Sequence, residues 1–335
     1  MKTKPASKPA PQPESHPAPQ PESRPAPPPE SRPAPPPAPQ PGGPPYLGAH
    51  MSISGGFDLA AERARQVGAT ALQVFVKSSN QWRARPLQEG EGRKFQDACR
   101  RLGIERLMAH DSYLINLCSG DAALWKRSLD AFVEELERCE ALGIPGLVTH
   151  PGAHGGDGEA AGIARLVKAI DTLEERLPAN PVRVLLETTA GQGTGIGHRF
   201  EHLAEVIGKV RRPQRLGICL DTCHVFAAGY DLRTAEAYAR TMEEFERVLG
   251  MKVLGAVHLN DSKKDLGSRV DRHEHIGQGC LGLEAFRALL NDPRLGDLPL
   301  VLETPKGEDL REDVENLGRL RSLLAAAARR SVAPR

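Results

Sequence analysis

The chain has 335 residues, 39% of them hydrophobic, and a formal net charge of +1. That is enough to bury one large core or two small ones, but it lacks the basic surplus usual in nucleic-acid binders. Residues 1–45 carry five Lys/Arg against three Glu, so residues 46–335 sum to −1, and any contact with nucleic acid must rest on local groups.

In chain order, the first segment is a tail. Residues 1–45 hold 19 of the 29 prolines, in imperfect repeats such as PAPQPES and PAPPPES. With almost no large apolar residue to offset ordering entropy, the segment is expected to be disordered with polyproline II character. It reads as a tether, or as a docking site for a proline-binding partner that the sequence does not identify; His16 within it is expected to be inert. There is no apolar signal core and no apolar stretch of 18 residues. The six cysteines, at 99, 118, 139, 219, 223 and 280, form no CxxC pair. A soluble, cytoplasmic protein in a reducing compartment, with no membrane partner, is expected.

From residue 46 onward, short apolar runs recur: YLGAH (46–50), ATALQVFV (69–76), IERLMAH (104–110), GLVTH (146–150), VRVLLE (182–187), RLGICLD (215–221), KVLGAVH (252–258) and LPLVLE (298–303). Most are rich in Val, Leu and Ile over four to eight residues, as strands buried on both faces require. Amphipathic segments such as 58–67, 123–142 and 160–177 lie between them. Their apolar residues recur at three and four, for example Leu124, Leu129, Phe132, Val133 and Leu136. Eight strands alternating with about eight helices predict an α/β fold, a parallel (β/α)8 TIM barrel over 46–330. An open doubly wound sheet is the alternative, weakened because no GxGxxG follows the first strand.

Seven of the eight runs end in an ionisable side chain: His50, His110, His150, Glu187, Asp221, His258 and Glu303. A barrel gathers its strand C-termini at one mouth, where active sites are built. A single such residue is usually a hydrogen-bonded core histidine or an ion-pair partner. Seven together would repel and desolvate one another unless cations neutralised them. Mixed imidazole and carboxylate donors suit zinc, with manganese or iron as alternatives, and such ions activate water for hydrolysis. Asp271 and His273, two apart in HLNDSKKDLGSRVDRHEH (258–275), can reach one ion from a loop, although alone they read as a solvated charged turn.

Three segments, HDSYLINLC (110–118), GICLDTCH (217–224) and VHLNDSKKDLGSRVDRH (257–273), resemble the signatures of the endonuclease IV family, the trinuclear-zinc apurinic/apyrimidinic endonucleases. LGAHMSISGG (47–56), HPGAH (150–154), ETTAGQG (187–193), FAAGYDLRT (226–234) and VLETP (301–305) are similar to it too, so the resemblance spans residues 46 to about 320. It implies a TIM barrel with three Zn2+ ions, one replaceable by Mn2+. His110 and His150 would hold the first and share Glu187 with the second. Asp221, His258 and Glu303 would complete the second; His224, Asp271 and His273 would hold the third. His50 would lie near the site without being a primary ligand. Four carboxylates against three divalent ions leave a net of +2, suited to a phosphodiester.

The implied activity is hydrolysis of the phosphodiester 5′ to an abasic site in double-stranded DNA, leaving a 3′-hydroxyl and a 5′-deoxyribose phosphate, with trimming of blocked 3′ ends. The protein would act as a monomer. Tyr113 and Leu114 would wedge into the duplex at the lesion, and Asn80, Gln81 and Trp82 would form a second DNA-facing loop. Asn80 stands where some members carry an inserting arginine, which puts that one contact in doubt. Cys223, a zinc ligand by type, is expected to be a buried packing thiol. His202 is expected to be structural, and His154, His198 and His275 have no assigned role. A metal-dependent sugar isomerase on a related barrel is the competing enzyme class, but it gives Asp271 and His273 nothing to do. A DNA-binding protein without chemistry is a third reading, disfavoured by nine intact ligand types.

Overall fold

A computed structural model describes residues 45–325. The tail read over 1–45, all but Pro45, lies outside the described residues, as do residues 326–330 of the expected barrel domain. Strands β1 (Tyr46–Met51), β2 (Ala71–Phe75), β3 (Arg106–His110), β4 (Gly146–Thr149), β5 (Arg183–Glu187), β6 (Leu216–Asp221) and β7 (Leu254–His258) follow in chain order. A two-stranded antiparallel ribbon, β8 (Asp261–Ser262) with β9 (His273–Glu274), comes next, then β10 (Pro299–Leu302). The barrel closes in the order β1-β10-β7-β6-β5-β4-β3-β2, every neighbour parallel. It is the (β/α)8 architecture predicted, and the open sheet is excluded.

Around the strands run α1 (Phe57–Gln66), α2 (Glu91–Leu102), α3 (Ala122–Leu142), α4 (Glu159–Arg176), α5 (Phe200–Lys209), α6 (Thr222–Ala228), α7 (Ala235–Val248), α8 (Gly282–Leu290) and α9 (Arg311–Leu323). The longest, α3, starts because the Asp121 carboxylate accepts hydrogen bonds from Ala123 N at 2.8 Å and Leu124 N at 2.9 Å, satisfying two of the helix's free donors. It ends at Gly143, which takes the left-handed conformation (φ 71°). Leu129, Phe132, Val133, Leu136 and Cys139 form its buried face, packed in the large cluster between helices and barrel wall.

Inside the barrel a second, smaller core takes one residue from each of seven strands: Ala71, Met108, Val148, Leu185, Cys219, Ala256 and Val301, with Tyr46 packed beneath. Because side chains alternate along a strand, the residue two positions further on points into the barrel one layer higher. That layer therefore contains Gln73, His110, His150, Glu187, Asp221, His258 and Glu303. Two local adjustments maintain this register. Gly48 on β1 has no room for a side chain, since a Cβ there would sit 1.9 Å from the Ala71 carbonyl oxygen. On β7, pairing with β6 jumps from Leu254 to Ala256, leaving Gly255 as a bulge before His258.

Candidate metal centre

The runs that end in ionisable residues do not all end where the sequence suggested. His110, Glu187, Asp221 and His258 close their strands, but His150 and Glu303 stand one residue beyond β4 and β10, and His50 lies one residue before the end of β1. A one-residue offset at the C-terminus leaves the alternation intact, so the side chains still share one layer.

The donor atoms of the expected ligands fall into three groups, each with all its atoms within 4.8 Å of one another: His110, His150 and Glu187; Glu187, Asp221, His258 and Glu303; and His224, Asp271 and His273; a fourth, overlapping group sets Cys223 beside Asp221 and His273. Glu187 belongs to two of them. Its Oε2 lies 3.1 Å from both His110 Nε2 and His150 Nε2, and its Oε1 lies 2.9 Å from His258 Nδ1. Glu303 Oε2 approaches the same His258 Nδ1 at 3.1 Å. In the third group, Asp271 lies 3.2 Å from His224 Nε2 and 3.2 Å from His273 Nε2, and the two imidazole nitrogens are 3.5 Å apart.

Local structure explains how distant residues meet. Asp221 Oδ1 caps α6 by accepting from His224 N at 2.8 Å, which sets His224 beside the second group, while Asn260 Nδ2 holds Asp221 Oδ2 at 2.6 Å. The β8–β9 ribbon folds the charged loop back so that His273 reaches the mouth. Below it, buried Asp261 accepts from Gly277, Gly279 and Leu281 N at 2.9–3.1 Å. Gln192 Oε1 accepts from Asp271 N at 3.2 Å.

Four of the five imidazoles have their outer nitrogen fixed by a carbonyl oxygen. His110 Nδ1 meets Asp111 O at 2.9 Å, His224 Nδ1 meets Thr188 O at 2.8 Å, His273 Nδ1 meets Glu303 O at 3.2 Å, and His258 Nε2 meets the Gln73 amide oxygen at 2.8 Å. A carbonyl only accepts, so each of these nitrogens carries the proton and the other ring nitrogen offers its lone pair inward. Lone pairs and carboxylates thus converge without donors between them. Burial, the largest single influence, opposes charge on every group. Even so, the charges of His258 and His150 and the hydrogen bond from His110 hold Glu187 well below the usual carboxylate range. Hydrogen bonds to Asp111 and Glu187 lift His110 well above the usual imidazole value, the charge of Asp221 and the Asp271 hydrogen bond do the same for His224, and Asp221 and Asp271 raise His273 to about 9. The carboxylates demand positive charge, and the imidazoles supply it with protons where no cation does.

The xylose isomerase-like TIM barrel family matches residues 61–323. Probable endonuclease 4 of Chloroflexus aurantiacus is 54% identical over 280 residues, covering 84% of this chain and 98% of the relative. Probable endonuclease 4 of Geobacter sulfurreducens is 52% identical, covering 83% and 94%. Among solved structures, endonuclease IV from Thermus thermophilus is 37% identical with a TM-score of 0.74, covering 83% of this chain and 98% of that one. The chain belongs to the endonuclease IV family. A D-tagatose 3-epimerase-like protein, 16% identical with a TM-score of 0.65, shares the fold alone.

In this endonuclease IV family member, Tyr113, one of the residues expected to face DNA, lines the mouth, while Asn80, Gln81 and Trp82 line a separate groove with Arg83 and Arg127. Tyr113 is 66% exposed, its ring 6.1 Å from that of His110 and 5.4 Å from that of Phe75. Leu114 is half-buried beside it; Asn80 and Gln81 are exposed, and Trp82 is half-buried under the Arg127 guanidinium, 4.3 Å from its ring centroid. A groove of about 410 Å³ runs from Tyr113 past His150 and His224 to Asp271 and Arg272. His50 is joined to the second group through Gln73, with its Nδ1 3.7 Å from Glu303 Oε1.

Cys223 is fully buried, its thiol pushed up to about 12 by burial, with Sγ 3.7 Å from Arg272 O. His202 is buried and structural as expected. Together with Glu159 and His198 it forms a further cluster of donor atoms. His202 Nδ1 accepts from Gly197 N at 3.3 Å, so its proton sits on Nε2 and faces Glu159 Oε2 at 3.1 Å, and Arg199 pairs with the same carboxylate oxygen at 2.9 Å, so a guanidinium already takes the cation's place. His154 Nδ1 accepts from Gly156 and Gly158 N, and His275 meets Asn316. The sequence reading missed Gln73 and Asn260, both fully buried and bonded to the candidate ligands. The one signal for Gln73 is an amide inside the otherwise apolar ALQVF.

Proposed function

We propose that the chain is a metal-dependent DNA repair endonuclease that hydrolyses the phosphodiester 5′ to an abasic site, leaving a 3′-hydroxyl and a 5′-deoxyribose phosphate, and that trims blocked 3′ ends. The observation that carries the reading is the convergence of three donor groups that share Glu187 at a barrel mouth. Family membership supplies the substrate class.

The residues fit divalent cations. His110, His150 and Glu187 would hold one; Glu187, Asp221, His258 and Glu303 a second; His224, Asp271 and His273 a third. Zinc suits the mixture of imidazole and carboxylate, and manganese can stand at one position. When bound, such ions polarise a phosphodiester and supply hydroxide near neutral pH, so no side-chain base is required. The chain's own part is orientation. Glu187 ties two groups together, and Asp221 links the second to the third through its cap on His224. Tyr113 and Leu114 stand ready to fill the space left at a nucleotide without a base. Gln81 and Trp82 approach the duplex from the neighbouring loop, with Asn80 a shorter reach than arginine would give. Residues 46 to about 330 would form this domain and act as a monomer, with the proline-rich tail as a tether.

The test is cleavage of a duplex carrying one abasic analogue, with and without chelator, together with elemental analysis of the purified chain. Cleavage on the 5′ side that chelator abolishes is expected, with about three ions per chain. Uncut DNA from metal-replete protein would overturn the reading.

A further inference from the structure

Gln73 is fully buried on β2, the one polar residue of an otherwise apolar strand. A buried amide is costly unless its polar atoms are bonded. Each of the three hydrogen bonds Gln73 makes goes to a residue of the mouth: Nε2 donates to Glu303 Oε1 at 2.5 Å and to His50 Nδ1 at 2.9 Å, and Oε1 accepts from His258 Nε2 at 2.8 Å.

The amide's orientation follows from the chemistry of its partners. An ionised carboxylate only accepts, so the NH2 end must face Glu303 and the oxygen must face His258. His258 must then carry its proton on Nε2, which leaves Nδ1 as a lone pair among Glu187, Asp221 and Glu303. The same NH2 makes His50 Nδ1 an acceptor, so the His50 proton sits on Nε2, an atom with no partner among the described residues. His258 differs from the other three fixed imidazoles, whose outer nitrogens meet backbone carbonyls. Here a replaceable side chain takes the place of the backbone.

We infer that Gln73 is a positioning residue for the second metal group: it selects the His258 tautomer whose Nδ1 faces Glu187 and Glu303, and it fixes the Glu303 carboxylate and the His50 tautomer at the same time. The inference rests on the metal reading above and goes beyond it by assigning a role to a residue that touches no ion. Outer partners of ligating groups, when removed, typically cost about 10–100-fold in metal affinity or activity.

The test uses the full zinc-loaded chain, with Gln73→Met to remove the amide and Gln73→Glu to keep an acceptor for His258 while leaving at most one O–H donor, which the Glu303 carboxylate at 2.5 Å captures and which is therefore lost to His50. Metal content is followed against rising chelator, and histidine tautomers are read from imidazole 15N shifts. In the wild type, both His258 and His50 should carry the proton on Nε2. Gln73→Met should release one ion per chain at about 10–100-fold lower chelator, with kcat reduced and KM near wild type. Gln73→Glu should leave the His258 tautomer in place but move the His50 proton to Nδ1, a result that survives even if Gln73→Met fails to fold. Unchanged chelator resistance in Gln73→Met, or an unchanged His50 tautomer in Gln73→Glu, would overturn the inference while the metal reading stands. A wild-type chain that retains no divalent cation would sink both.

Discussion

Glu187 carries more of the mouth than any other side chain. It is fully buried, and both of its oxygens are within 3.2 Å of imidazole nitrogens. Glu187→Gln keeps the shape but removes the charge and turns an N–H2 toward lone pairs. The variant should remain folded, retain fewer ions, and lose at least about 10²–10³ in kcat, as removal of a preorganised electrostatic group does. Cleavage at the wild-type rate would show that Glu187 is not shared between metals. Cys223 gives the opposite expectation. Its thiol is held protonated by burial, and it turns toward the Arg272 carbonyl at 3.7 Å although Asp221 and His273 donor atoms lie within 4.8 Å. Cys223→Ala should retain every ion and full cleavage, losing about 1 kcal/mol in urea unfolding from the lost packing. Loss of one ion in that variant would restore it as a ligand.

Two elements that would meet DNA are fastened together from below. Lys77, buried at the end of the second apolar run, bonds the Trp82 carbonyl at 3.0 Å and pairs with Glu135 of α3 at 3.2 Å, each side chain only 1% exposed. Glu135 in turn accepts from Ser112 N at 3.3 Å, and Ser112 Oγ donates to Ser79 O at 2.6 Å. The loop bearing Asn80 to Trp82 and the loop bearing Tyr113 thus share one buried ion pair. Burial and the charge of Asp111 push Glu135 up to about 8 even beside Lys77, so Lys77→Met leaves it as a neutral acid and the Trp82 carbonyl without its donor; the substitution should cost about 1–3 kcal/mol in chemical denaturation and weaken abasic-duplex binding more than it lowers kcat. Equal stability of variant and wild type would show the pair to be idle. This strut was not legible in the sequence: Lys77 follows the one apolar run that ends without an ionisable residue, and Glu135 falls within a helix whose pattern makes charged positions look solvated. Six of the nine candidate ligands were legible because they recur at one structural position, the ends of apolar runs, whereas His224, Asp271 and His273 were placed by the motifs that carry the family resemblance. Gln73 was not, because a lone amide in a strand has no such recurrence.

At the scale of the whole molecule, alternating apolar runs and amphipathic segments were enough to predict the barrel, because a strand buried on both faces and a helix with one buried stripe leave few other packings. The strand ends shifted by a residue because ladder pairing, which the sequence does not display, decides where a strand stops. The same architecture bears on how the molecule binds DNA. The layer of candidate ligands rests on a separate apolar layer inside the barrel, with every strand contributing to that core or to Tyr46 beneath it, so the fold is expected to hold without ions. Residues 46–335 sum to −1, and the mouth concentrates four carboxylates. Without ions only protonated imidazoles offset those carboxylates; three divalent ions would make the mouth strongly positive toward a phosphodiester. Chelation should therefore abolish more than cleavage. The chelated chain should keep its far-ultraviolet circular dichroism, yet bind a duplex with an uncleavable abasic analogue at least about tenfold more weakly at fixed salt, where each lost phosphate contact also flattens the salt dependence. Measured by fluorescence anisotropy, undiminished affinity after chelation would mean that Tyr113, Trp82 and the neighbouring basic side chains recognise DNA unaided, and that the ions serve the chemistry alone.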